Sequence, residues 1–101
     1  MTQLIVTPEA EADITEILDY LRTKAGPSIA ETYRSRFLSA FRRLKAFPNS
    51  GSRRDEIDET VRIAVVYPYI IFHEVNPDGS SLTVLRVLHG RMEVEGKLWP
   101  D

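Results

Sequence analysis

The chain has 101 residues with 43% hydrophobic content, enough for one modest core and too little for two. Thirteen lysines and arginines against fifteen acids leave a formal charge of -2, so there is no global attraction to nucleic acid. Cysteine is absent, which excludes disulfides and thiolate metal sites and fits a reducing cytoplasm. No basic leader or run near the roughly 20 apolar residues of a membrane span is present, so a soluble, cytoplasmic protein is expected.

Leu4-Ile5-Val6 is a short β-prone run handing over to a helix, with Thr7 as N-cap and Pro8 at the first helical position. Ala10, Ile14, Ile17, Leu18, Leu21 and Ala25 recur at three- and four-residue steps, the pattern of an amphipathic helix. Gly26-Pro27 ends it, and Ser28 with Glu31 has the form of a capping box for a second helix. Ala30, Tyr33, Phe37, Phe41 and Leu44 stripe that helix, which stops near Phe47 because the residue before Pro48 is disfavoured from helical geometry. A helical hairpin over about 8–47 is the result.

The charges along this hairpin are segregated. Residues 9–19 carry Glu9, Glu11, Asp13, Glu16 and Asp19 without a base; residues 32–54 carry Arg34, Arg36, Arg42, Arg43, Lys45, Arg53 and Arg54 without an acid. Two explanations stand: mutually neutralising helices, or a basic surface for an acidic partner segment.

From Thr60 the pattern becomes β-branched and aromatic, giving strands at about 60–66, 69–75 and 81–89 separated by Tyr67-Pro68 and by Asn76-Pro77-Asp78-Gly79. Short turns of this kind make an antiparallel meander, joined by the strand at about 3–7 and packed on the hairpin: an α+β domain spanning 1–101. Leu98 and Trp99 are candidates to dock back on the body.

Three segments in order then carry a resemblance: Pro48-Asn49-Ser50-Gly51-Ser52-Arg53-Arg54-Asp55-Glu56-Ile57, Val61-Arg62-Ile63, and Leu85-Arg86-Val87-Leu88-His89-Gly90-Arg91. Together they resemble the ParE branch of the RelE/ParE toxin superfamily. The resemblance implies the RelE/ParE-like fold and a toxin of a type II toxin–antitoxin pair, of the plasmid stabilisation kind. It also implies binding to DNA gyrase, and a hetero-oligomer with a ParD-like antitoxin that silences it. No catalytic residue, metal, cofactor, direct DNA binding or membrane contact belongs to that implication.

The RelE branch shares the fold but cuts ribosome-bound messenger RNA with basic residues and a tyrosine or equivalent group near the C-terminus. After Arg91 this chain reads Met92-Glu93-Val94-Glu95-Gly96-Lys97-Leu98, without tyrosine. Ribonuclease activity remains the alternative, because 2′-hydroxyl attack needs a base, an acid and cations, for which His89 and Glu93 are available. Met92 and His73 depart from the ParE pattern, where a second arginine and a tyrosine are common, so a non-toxic, antitoxin-binding homologue is the third possibility.

Arg62, Arg86, His89 and Arg91 are therefore the candidates for target contact and toxicity, and Arg53 and Arg54 for antitoxin contact. For Arg86, in an apolar strand, a functional cation stands beside an arginine whose stem packs and whose head pairs with Glu56 or Glu93. His89 has as its bland alternative the capping of backbone groups at a strand end. Two histidines and no clustered carboxylates make a metal site unexpected.

Overall fold

The computed structural model describes residues 2–90. Element order is β1 (Gln3–Val6), α1 (Pro8–Ala25), α2 (Pro27–Ala46), β2 (Ser52–Arg53), β3 (Val61–Val66), β4 (Tyr69–Val75) and β5 (Ser81–His89). The strands form one sheet in the order β1-β5-β4-β3-β2. The meander β3-β4-β5 is antiparallel as expected, while β1 pairs parallel to β5, Gln3 opposite Ser81 through Val6 opposite Val84. The edge strand β2 was not anticipated; it is two polar residues long, too short for any alternation to register.

The caps explain the hairpin. The Thr7 hydroxyl accepts from the amide of Ala10 at 3.0 Å, with Pro8 filling the first helical position and Glu9 and Glu11 in the first turn. Gly26, at φ +97°, is shared by both helices: its N–H donates to the Arg22 carbonyl, and its own carbonyl accepts from Ala30. That backbone region favours glycine, which is why the two helices meet at a single residue. The expected capping box at Ser28 is not formed. α2 begins two residues earlier, at Pro27 with Gly26 in the capping position and no side-chain cap, and Glu31 instead faces Arg34 on its own helix.

Apolar residues from both helices pack with the sheet around Ala10, Phe37, Ala40, Leu44, Ile71, Leu82, Val84 and Val87. A second cluster, Val61, Ile63, Ile70, Phe72 and Leu88, gathers the alternate residues of the strands, with Ile57 of the β2–β3 connection packed against it. Alternation is interrupted once: Phe72 pairs with Arg86 but His73 with Val84, so Leu85 is an extra residue, a bulge in β5. Val84 and Val87, three apart, therefore share the helix side.

No described helix is long and apolar enough to cross a membrane. Thr7 also donates its hydroxyl to the Leu85 carbonyl at 3.0 Å, so it joins the helix start to the bulge. Thr7→Ala is expected to lower unfolding stability by about 1–2 kcal/mol, the usual loss of an N-cap. Thr32→Ala, removing an exposed hydroxyl inside α2, should change it by no more than about 0.5 kcal/mol. Urea titration of the two variants separates these outcomes.

Candidate functional site

β1 covers β5 only as far as Val84, so among the described residues no strand pairs with the outer edge of β5 from Leu85 onward. Against that edge lies α1, and between them opens a groove of about 640 Å³ lined by Asp13, Glu16, Ile17 and Tyr20 from the helix and by Arg86 to His89 and Tyr69 from the sheet. One carboxylate closes its floor. Asp13 Oδ2 accepts from Arg86 Nε at 2.7 Å, Oδ1 accepts from Arg86 Nη2 at 2.9 Å, and Oδ2 also accepts the backbone N–H of Val87 at 3.0 Å. The bidentate fork is the strong form of a charge-assisted pair. Asp13 is 12% exposed and Arg86 33%, so water screens the pair less than a surface bridge. The bond to Asp13 raises the Arg86 guanidinium above its ordinary value against the opposing effect of burial, and the charges of Asp13 and Glu9 add to that rise.

The expected pairing of Arg86 with Glu56 is thus corrected: its partner is Asp13. Glu56, itself exposed, lies 3.6 Å from half-buried Arg54, and Glu93 is outside the described residues. Asp13 was missed, although a signal existed. It falls three residues after the buried Ala10 and four before Ile17, a carboxylate inside an apolar stripe, just as Arg86 is a cation inside an apolar strand. Two residues out of place in their own elements answer each other across 73 positions.

His89 ends β5 beside this groove, exposed, its ring edge-on to Tyr69 at 5.7 Å. Tyr69 is buried and also meets Tyr33 edge-on and Phe37 at a tilt, so it links α2 to the end of β5. Burial first, and then Tyr33 and Tyr20, push its hydroxyl above the ordinary value.

Arg62 is elsewhere. It sits in the cross-strand row Arg62–His73–Val84, while His89 sits in the row Val66–Tyr69–His89, four residues away along β3. Its Nη1 donates to the carbonyls of Gly51 at 2.9 Å and Asn49 at 3.3 Å. Arg53 pairs with Asp55 at 3.2 Å, both exposed. Arg91 lies outside the described residues, as do Met92, Leu98 and Trp99. The candidates brought together are Arg86 and His89; Arg62, Arg53 and Arg54 form a separate group around β2. The segregated charges of the hairpin are partly used within helices, as Asp19–Arg22 and Glu31–Arg34, while Arg36 stacks on the Tyr33 ring at 4.9 Å.

No group of three or more metal-ligating side chains occurs among the described residues. The arrangement provides a strand end carrying His89 and an aromatic hub, beside a groove whose arginine is already neutralised.

A family model described as the ParE toxin of the type II toxin–antitoxin system parDE matches residues 4–94. Toxin ParE3 of Caulobacter vibrioides is 29% identical over 98 residues, covering 97% of this chain and 96% of that protein. Toxin ParE1 of Mycobacterium tuberculosis is 32% identical over 97 residues, covering 96% and 98%. Among solved structures, the chromosomal ParDE system of P. aeruginosa aligns with TM-score 0.73 at 24% identity, over 88% of this chain and 96% of that one. The toxin–antitoxin complex RelBE2 of Mycobacterium tuberculosis aligns at 0.58 and 21%, over 87% and 96%. The two structural likenesses bear on the fold, which is that of the RelE/ParE toxins.

Removing Asp13 leaves the Arg86 charge and the Val87 N–H without their acceptor. Asp13→Ala is expected to lose about 3 kcal/mol, the upper end for hydrogen bonds to charged groups. A double-mutant cycle with Arg86→Gln should return a coupling of about 1–3 kcal/mol. Additive losses in chemical denaturation would show that the pair does not tie α1 to β5.

Proposed function

Because the chain belongs to the ParE toxin family of type II toxin–antitoxin systems, we propose that it arrests bacterial growth in the cytoplasm by binding DNA gyrase and is silenced by a ParD-like antitoxin. The match over residues 4–94 supports the toxin class, and the engagement of Arg86 with Asp13 supports binding over cleavage. Phosphate chemistry needs a cation free to meet developing negative charge. Arg86, the strand arginine, instead has two of its N–H groups committed to a carboxylate that neutralises it. Arg62 and His89, the other described candidates, lie at opposite ends of the sheet rows and do not converge on one reacting atom. A protein-binding inhibitor requires no such convergence; it requires a surface, and the exposed end of β5 with His89 offers one next to the groove along α1.

The antitoxin part of the proposal draws on the solved relatives, which are toxin–antitoxin systems. The basic run of α2 and the arginines at β2 are the charge complement for an acidic segment of that partner, Arg53 and Arg54 among them.

Induced expression of the chain is expected to stop growth, and the purified protein to block supercoiling by gyrase while ribosome-bound message stays intact. Co-expression of the neighbouring open reading frame, as candidate antitoxin, should restore both. Intact supercoiling at saturating protein together with cleaved message would replace the proposal with a ribonuclease. Growth unaffected by expression would mark a non-toxic homologue.

A further inference from the structure

His73 is the odd member of β4. Its neighbour Phe72, its cross-strand partner Val84 and the ring itself are all 0% exposed. Its Nδ1 lies 3.4 Å from the Ile71 carbonyl, a long contact, and its Nε2 has no hydrogen-bond partner among the described residues. The roof of the ring is backbone. A Cβ on Gly51 would stand 2.7 Å from His73 Cε1, 2.8 Å from Nε2 and 2.7 Å from the Ile63 carbonyl oxygen, so only glycine fits while the segment is seated.

That segment is lightly held. Gly51 precedes β2, whose sheet pairing is limited to Ser52 with Ile63 and Arg53 with Arg62. Beyond these pairs, the Arg54 N–H donates to the Val61 carbonyl, and Arg62 grips the carbonyls of Asn49 and Gly51. The charged group acting on the imidazole is Arg62, its cross-strand neighbour in β3. From β5 the ring faces apolar Val84, and from β4 the Ile71 carbonyl. Glu74, next in β4, points to the opposite side and accepts from Thr60.

We infer that His73 and Gly51 form an acid-sensitive latch, in which the neutral ring seats the 48–54 segment on the edge of β3 and the protonated ring expels it. An imidazolium here would be buried beside a guanidinium, and lifting Gly51, which lies directly against the ring, would open it to water. Burial holds His73 below its ordinary value of 6.5; the Ile71 carbonyl opposes it, and the charge of Arg62 adds a smaller push in the same direction as burial. The sign follows. Once the segment lifts, the hydrated ring returns toward 6.5, so the open form takes up a proton that the closed form refuses. Closure is fully stable above that pH and weakens below it, the opening constant rising up to about tenfold per pH unit until the closed form also protonates. Opening uncovers the backbone of Arg62 and Ile63 and makes the outer edge of β3 continuous, a template for strand pairing. The latch is independent of the toxic activity proposed above.

Amide hydrogen exchange on the full chain, corrected for intrinsic rates, tests it between pH 7.5 and pH 5. The amides of Arg54 and Ile63 are expected to lose protection below about pH 6.5, by up to about tenfold per pH unit, while Ile71 and Val87 keep theirs. In His73→Gln the same amides should exchange with no acid response. The ring resonances of wild-type His73, followed by NMR, should titrate below 6.5. An unchanged acid response in His73→Gln would overturn the latch. So would loss of protection throughout β4 and β5 together, or a ring that titrates at or above 6.5. Should His73→Gln fail to fold, the wild-type titration and the locality of exchange decide the matter.

Discussion

The carboxylate of Asp13 carries the fold's hardest problem. A parallel strand, β1, covers β5 only to Val84, and no other described strand pairs with the edge beyond, where backbone groups need partners. Thr7 and Asp13 take over where β1 stops: the Thr7 N–H donates to the Val84 carbonyl, its hydroxyl to the Leu85 carbonyl, and Asp13 accepts the Val87 N–H. The opening of α1 is thus a continuation of the edge by other means. Because the same carboxylate neutralises Arg86, the helix is fixed in rotation as well as position, and its apolar stripe is aimed at Val84 and Val87. Every contact in this seam is separated by more than 70 residues, so it forms only when the two ends of the described chain meet.

The parts of the fold legible in the sequence were those with a repeat to read. The two helices, the three meander strands and the Thr7 cap follow from periodicities of 3.6 and 2 and from capping chemistry, and they appear within a residue or two of where those signals put them. What escaped has no repeat. β2 is two polar residues placed by the grip of Arg62 on its approach, and the bulge at Leu85 is a property of pairing, not of β5 alone. Ser28 and Glu31 have the right letters for a cap, but Gly26 and Pro27 form the boundary first, so Ser28 already lies inside the first turn and not at the capping position.

The candidate site divides along the same line. Arginines 62 and 86 stood out as cations in apolar strands, and both are structural participants in the described chain; composition could not say which acid or carbonyl each would find. Asp13 was visible as an anomaly in its stripe, but pairing two anomalies requires the topology that sets α1 beside β5. His73 was marked only as a departure from the family pattern, since a histidine among Ile71, Phe72 and Val75 reads by itself as one more bulky strand residue. Its setting becomes special through Gly51, a contact across 22 positions between a turn and a strand.

The two arginines are held by opposite kinds of partner, and this gives the ends of the sheet different electrostatics. Arg86 faces an ionised carboxylate, so beyond a few ångströms the pair is a dipole and its field falls away quickly. The partners described for Arg62 are carbonyl oxygens, which satisfy its donors without cancelling its charge. Arg53 and Arg54 stand nearby with acids two residues on, Arg53 and Asp55 in an exposed pair that salt readily screens and half-buried Arg54 beside exposed Glu56. Among the described residues, the β2 end of the sheet therefore holds a half-buried guanidinium, Arg62, whose carbonyl partners leave its charge uncancelled. The β5 end presents a neutralised pair, His89 and an aromatic ring. The segment that roofs His73 lies at the end of the sheet that holds Arg62.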